Sequence, residues 1–220
     1  MYVELIDNYI KNSNDIYKRI FNLCSYLFRK EIEYHFEFVD DIINIYSFGE
    51  SRLWLTAHYD VVNFSNCYID NTTALFIIVE LKNRYPDINF IYFDKEEPPY
   101  MGRGALLTRL LPKNSIILNL DVLGIGNDLI YDYNKNLELF DNLGFFKKNT
   151  PFCDTTDLVK RGYEAITISA IGKNLDISKW FYCHTNKDNI DIINDEYIIS
   201  NIDKIGLVIE KILEGDNIFL

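Results

Sequence analysis

Apolar residues recur at Ile6, Ile10, Ile16, Ile20 and Leu23, a spacing that predicts helix over residues 3–28. The rhythm then shortens to two. "EYHFEFV" (33–39) alternates, and "IINIYSF" (42–48) follows after Asp40-Asp41, so the two read as a β-hairpin. "RLWLTA" (52–57) is a third strand. From there strands and helices take turns: a helix over 71–85, a strand over 88–93, a helix over 102–111 and a strand over 115–120. A helix over 134–144, a strand over 165–170 and a long amphipathic helix over 195–213 complete the pattern. Such alternation predicts an α/β fold, a mixed but mainly parallel central sheet sandwiched between helices. No repeat, low-complexity tract or linker interrupts it. We therefore expect one domain over 1–220, with the helix and hairpin of 1–50 packed onto it.

Composition narrows the function classes. Of 220 residues, 48% are hydrophobic and 15% aromatic, enough for a large core. The 22 basic and 33 acidic residues give a net charge of −11. No Lys/Arg cluster offers the basic patch that a nucleic acid needs, so no nucleic-acid partner is expected. The four cysteines, Cys24, Cys67, Cys153 and Cys183, form no CxxC pair, which argues against a structural zinc knuckle. The first residues are acidic where a signal peptide is basic and apolar, and no apolar run approaches a membrane span. A reduced, cytoplasmic protein without a membrane partner is the expectation.

The chemistry collects where strands end. His58 and Asp60 follow "RLWLTA", Glu96 and Glu97 follow "INFIYF", Asp121 follows "SIILNL", and His184 follows "AITISA" at a longer interval. Asp70 stands at the start of the 71–85 helix. Ligands of open α/β sheets bind outside the carboxyl ends of the strands. His58 and Asp60 lie two apart, on one side of an extended chain, so one can hold a metal while the other orients it. Glu96 and Glu97 point in different directions, poorly placed to chelate one ion together and well placed to divide metal binding from proton transfer. The set His58, Asp70, Glu97, Asp121 and His184 suits zinc, cobalt or manganese better than calcium or magnesium. Five ligands exceed the three of a single catalytic zinc. They suit two ions, roughly 3.5–4 Å apart, that share a carboxylate.

Six stretches, in order, resemble the co-catalytic zinc aminopeptidases (metallopeptidase family twenty-eight), a family that includes glutaminyl cyclases. They are "AHYD" (57–60), "IDNTTAL" (69–75), "DKEEPPYMGRGA" (94–105), "LNLDVLG" (118–124), "CDTTDLVKRGYEAI" (153–166) and "YCHTNKDNIDIIN" (182–194). The resemblance implies a phosphorylase/hydrolase-type fold and a peptide substrate with a free N-terminus. It implies that His58 and Asp121 complete one metal site, that Glu97 and His184 complete the other, and that Asp70 bridges them. Asp60 would support His58, and Glu96 would be the general base. Pro99 stands where the family often has glycine. Some members polarise the substrate carbonyl with a tyrosine, for which Tyr182 is the nearest candidate here.

The structural readings of these residues run alongside. His35 reads as a structural histidine of the hairpin. Asp70 can cap its helix as well as bind metal. Asp154 fits a helix cap as well as an acid that the family often has there. Cys183 reads as packing, and Tyr100 and Trp180 as core aromatics in preference to walls of a pocket. The leading function is a metal-dependent aminopeptidase or dipeptidase; a glutaminyl cyclase-like acyltransferase using one metal, a carboxypeptidase on a related scaffold and a binding module that has kept the fold are the alternatives.

Overall fold

Strands that are apolar on both sides need a core on both faces, and the sheet supplies one on each. In the computed structural model, which describes residues 1–13, 15–62, 65–151 and 153–215, successive residues of each central strand alternate between two hydrophobic clusters. Leu53, Leu55 and Ala57 enter the larger core while Trp54 enters the smaller; Phe90 and Tyr92 are divided in the same way from Ile91 and Phe93.

The helices are α1 (Tyr2–Lys11), α2 (Ile16–Arg29), α3 (Thr73–Arg84), α4 (Arg103–Leu107), α5 (Glu138–Asn142), α6 (Asp154–Lys160) and α7 (Asp195–Leu213). The strands are β1 (His35–Val39), β2 (Ile42–Ser47), β3 (Leu53–His58), β4 (Asn89–Phe93), β5 (Ile116–Leu120), β6 (Asp128–Asp132), β7 (Phe146–Lys147) and β8 (Glu164–Ile171). They form one eight-stranded sheet in the order β1-β2-β4-β3-β5-β8-β6-β7. β4, β3, β5 and β8 are parallel, β1 and β2 add an antiparallel hairpin at one side, and β6 returns antiparallel to β8. Helices α3 and α7 pack against each other on the larger core, and α4 and α6 cover the smaller.

This order places the site. From β3 the chain crosses through α3 to β4 on one side, then through α4 to β5 on the other. The order therefore reverses at β3, and a crevice opens at its carboxyl end. The register pairs His58 with Phe93 and Thr56 with Asn119, so the three strands end nearly level.

Several boundaries differ from the sequence pattern, each for a local reason. The 3–28 helix is two helices, because Asp15 accepts a hydrogen bond from the Lys18 amide (2.9 Å) and starts α2 afresh. The 102–111 helix stops at Leu107. Beyond it the Arg109 amide donates to Glu37 Oε1 (2.7 Å) instead of to its own helix. The 134–144 helix is confined to α5. The strand β6 and the helix α6 were not legible: "DLIYD" is short and bounded by acids, and α6 has only 7 residues.

Candidate metal centre

Five loops deliver acids and imidazoles to the mouth of β3. His58, the last residue of β3, is only 2% exposed. Its Nδ1 lies 3.4 Å from Asp60 Oδ1, and its Nε2 lies 3.1 Å from Asp70 Oδ1 and 4.0 Å from Asp121 Oδ1. Asp60 also ties two loops together. Its two oxygens accept the amides of Glu96 (3.1 Å) and Glu97 (3.0 Å), fastening the β4 loop to the β3 loop.

Asp70 sits in an irregular turn, Tyr68–Thr72, ahead of α3, with non-helical dihedrals and a cis peptide to Asn71. It does not cap the helix. Its Oδ1 faces His58, and its Oδ2 lies 3.1 Å from His184 Nε2. His184 Nε2 is also 2.9 Å from Glu97 Oε2. Two groups of potential ligands result, His58/Asp70/Asp121 and Asp70/Glu97/His184, each with its donor atoms within 4.8 Å of one another and with Asp70 common to both. A third such group, His58/Glu96/Glu97, shows that the adjacent glutamates approach one point more closely than their sequence spacing suggests.

Several of these loops hold unusual backbone. Lys95, just before Glu96, Val122, just after Asp121, and His184 itself all have left-handed φ, at 57°, 55° and 59°. For a β-branched valine this conformation is a genuine outlier, and such strain concentrates at functional sites. The neighbouring ladder holds it in place: the Asp121 amide donates to Ile168 O, and the Ala170 amide to Val122 O.

The donors fit a divalent cation. Oε1 of Glu97 and Oδ1 of Asp121 are buried without a hydrogen-bond partner, and Oε2 of Glu97 meets only the His184 ring. Orphaned buried acceptors of this kind are costly unless something positive meets them. Titration shifts tell the same story. Burial pushes Glu96, Glu97 and Asp121 above the ordinary carboxylate range, against the pull of nearby histidines. Burial disfavours the imidazolium of His58, yet Glu96, Asp60 and Asp70 outweigh it and raise the pKa. Asp70 and Glu97 lift His184 to about 10. Protons on the histidines thus offset charge that an ion would neutralise, and a mixed imidazole and carboxylate set suits zinc.

Two residues emerge whose sequence positions left their roles undecided. Asp154 is fully buried at the start of α6, makes no cap, and has both oxygens unpartnered. Burial, with Asp60 and Asp121 nearby, raises its pKa well above the usual value despite His58. Trp180 packs, partly buried, against the larger core. It lines a cavity of about 240 Å³ beside the acids, its Nε1 donating to Ala170 O (2.9 Å). Pro98, Met101, Val122, Pro151 and Cys183 complete the apolar side of that cavity, and Thr150 and Ser169 add hydroxyls. Tyr182 and Tyr100 do not line it; Tyr100 is 47% exposed. His35 stacks near Tyr46 in the hairpin, away from the acids.

The sequence matches no protein-family model and no curated protein. The structure matches solved ones. A glutaminyl cyclase from Porphyromonas gingivalis aligns over 94% of this chain and 96% of its own, with a TM-score of 0.75 at 15% identity. A Zn-dependent exopeptidase from Parabacteroides distasonis aligns over 94% and 96%, with a TM-score of 0.73 at 17% identity. BSAP, a zinc aminopeptidase from Bacillus subtilis, aligns over 77% of this chain with a TM-score of 0.65 at 18% identity, and the chain spans about half (50%) of its length. The fold is that of zinc aminopeptidases and glutaminyl cyclases. Among the described residues, no helix is long and apolar enough to cross a membrane.

Proposed function

We propose that the protein is a metal-dependent aminopeptidase that removes N-terminal residues from peptides. One observation carries this reading: two histidine and carboxylate triads share Asp70 at the mouth of a small, largely apolar cavity. His58, Asp70 and Asp121 would hold one ion, and Asp70, Glu97 and His184 the other. Zinc bound there supplies Lewis acidity and a water of lowered pKa.

The remaining work belongs to the chain. Glu96 projects into the same space, its Oε2 3.9 Å from His58 Nε2. In this reading it would take a proton from the attacking water and return it to the leaving amine. Asp60, 3.4 Å from His58 Nδ1, would steady that ring, and it sets Glu96 and Glu97 through their amides. The free amine of the substrate meets a strongly acidic wall, while its first side chain faces Pro98, Met101, Val122 and Trp180. The test is release of amino acids from N-terminally free peptides, with zinc, cobalt or manganese added. Wild type is expected to trim them, and Glu96→Gln to keep its metal and lose turnover. Equal rates for the two proteins would remove Glu96 from the role of base.

A second reading, a glutaminyl cyclase-like acyltransferase using one metal, is favoured by Asp154. Its buried carboxyl is unpartnered and its pKa is raised by burial and by Asp60 and Asp121, and an acid that keeps its proton there would leave less charge for a second ion. Product mass separates the two readings. Hydrolysis adds water, whereas cyclisation of an N-terminal glutamine loses ammonia.

A further inference from the structure

Arg19 belongs to α2, far in sequence from any loop of the metal centre, yet it is 2% exposed. Its Nε donates to the carbonyl of Tyr59 (2.9 Å), the residue between His58 and Asp60. Its Nη2 donates to Thr72 Oγ1 (2.9 Å), two residues beyond Asp70. The guanidinium lies 5.2 Å from the centroid of the Tyr9 ring, and the Tyr9 hydroxyl donates to Arg19 O (3.1 Å). Among the described residues, no carboxylate lies within 4.0 Å of it.

A buried guanidinium without an ion pair is expensive, and packing alone would be served by a neutral side chain. What the guanidinium adds is a rigid fork of donors and the strength of charge-assisted hydrogen bonds. The fork joins two segments: the end of β3, which carries His58, and the turn that carries Asp70. These two side chains meet at 3.1 Å and belong to a common ligand group. We infer that Arg19 is a positioning residue of the metal centre, tying the His58 and Asp70 segments together so that their donor atoms hold the spacing one ion needs. This role rests on the metal-site reading above.

The test uses the full chain. Zinc affinity is measured by competition with a chromophoric chelator, and the absorption spectrum of the cobalt-loaded protein reports ligand geometry. Wild type, Arg19→Lys, Thr72→Val and the double variant are compared, each with a thermal melt of its metal-free form. Asp70→Asn is the control for the site itself. Arg19→Lys keeps the charge and loses the fork; the expected result is a 10–100-fold weaker zinc affinity and an altered cobalt spectrum, with the metal-free melt near that of wild type. Thr72→Val should weaken binding in the same direction, and the double variant should be less than additive, because both single changes break one bond.

If wild type binds zinc and both single variants bind it equally well with the same spectrum, the positioning role is overturned and the metal site stands. If the variants unfold before they can be loaded, the guanidinium serves the fold, and the role is likewise overturned. If wild type binds no zinc, or Asp70→Asn binds as well as wild type, the metal-site reading itself has failed.

Discussion

Two regions of this molecule bury carboxylates, and they treat them differently. On the hairpin side of the sheet, Glu37 accepts from Asn44 Nδ2 (2.9 Å) and from the Arg109 amide (2.7 Å). Asp94 accepts from the Ile43 amide (3.1 Å), and its own amide donates to Asn44 Oδ1 (3.1 Å). The backbone approaches so closely there that a Cβ on Gly104 would lie 2.1 Å from Asp94 O. At the mouth of β3, Glu97 and Asp154 are at least as buried and Asp121 is partly so, yet all three hold oxygens with no hydrogen-bond donor. Burial alone therefore says little about function. An acid whose acceptors are filled by amides is a structural joint, whereas acids that converge without donors could receive a cation.

The largest effect that can test this contrast is on turnover. Glu96→Gln is expected to lower kcat by about 10²–10⁴-fold with zinc content unchanged, as metal analysis beside peptide assays will show. Next comes a crossed pair of substitutions. Glu97→Gln should lose most zinc affinity while costing the metal-free protein little stability, since Glu97 Oε1 meets no donor and the His184 ring paired with Oε2 is half-exposed. Glu37→Gln should do the opposite, costing about 1–3 kcal/mol in urea unfolding and leaving zinc affinity alone. Similar behaviour of the two variants in both assays would erase the distinction between the regions.

Asp60 straddles the two classes, an acid filled by amides yet facing a candidate ligand. Asp60→Asn should weaken zinc binding by about 10–100-fold, visible in chelator competition. The smallest expected effect is on stability against pH in chelator-treated protein. Burial raises Asp188 from 3.8 to about 7, and Asp94 to about 6. Both folded carboxyls hold their protons more tightly than the unfolded chain does, so stability falls as pH rises from about 4 to 7. Excess zinc should oppose that slope, because its ligands must be deprotonated to bind. Melting temperatures with chelator and with zinc, taken at several pH values across that window, will show whether the two slopes differ.

Legibility in the sequence followed how local each cause was. The central strands and the α7 helix could be read because burial on one or two faces writes a period into neighbouring residues. The ligand candidates could be read because parallel strands with one crossing sense deliver their carboxyl ends to a single edge. His58, Asp60, Asp70, Glu96, Glu97, Asp121 and His184 all arrive there. The proposed division of Asp70 between two histidines was reached only through resemblance, and the geometry now supplies the supporting distances.

What the sequence determined by itself is therefore the alternation of elements, the sides on which they bury, and the strand ends where polar chemistry collects. Tertiary structure alone decided which acids are filled and which are left open. The partners of Asp60 are 36 and 37 residues away, and Glu37 meets the Arg109 amide from a distance of 72. It also decided that Asp70 faces imidazoles instead of capping α3, that Trp180 walls a cavity, and that Arg19 reaches from α2 to two ligand-bearing segments. The physical reason is that a hydrogen bond is satisfied by whatever donor the folded loops bring within about 3 Å. No periodicity in the chain records that meeting.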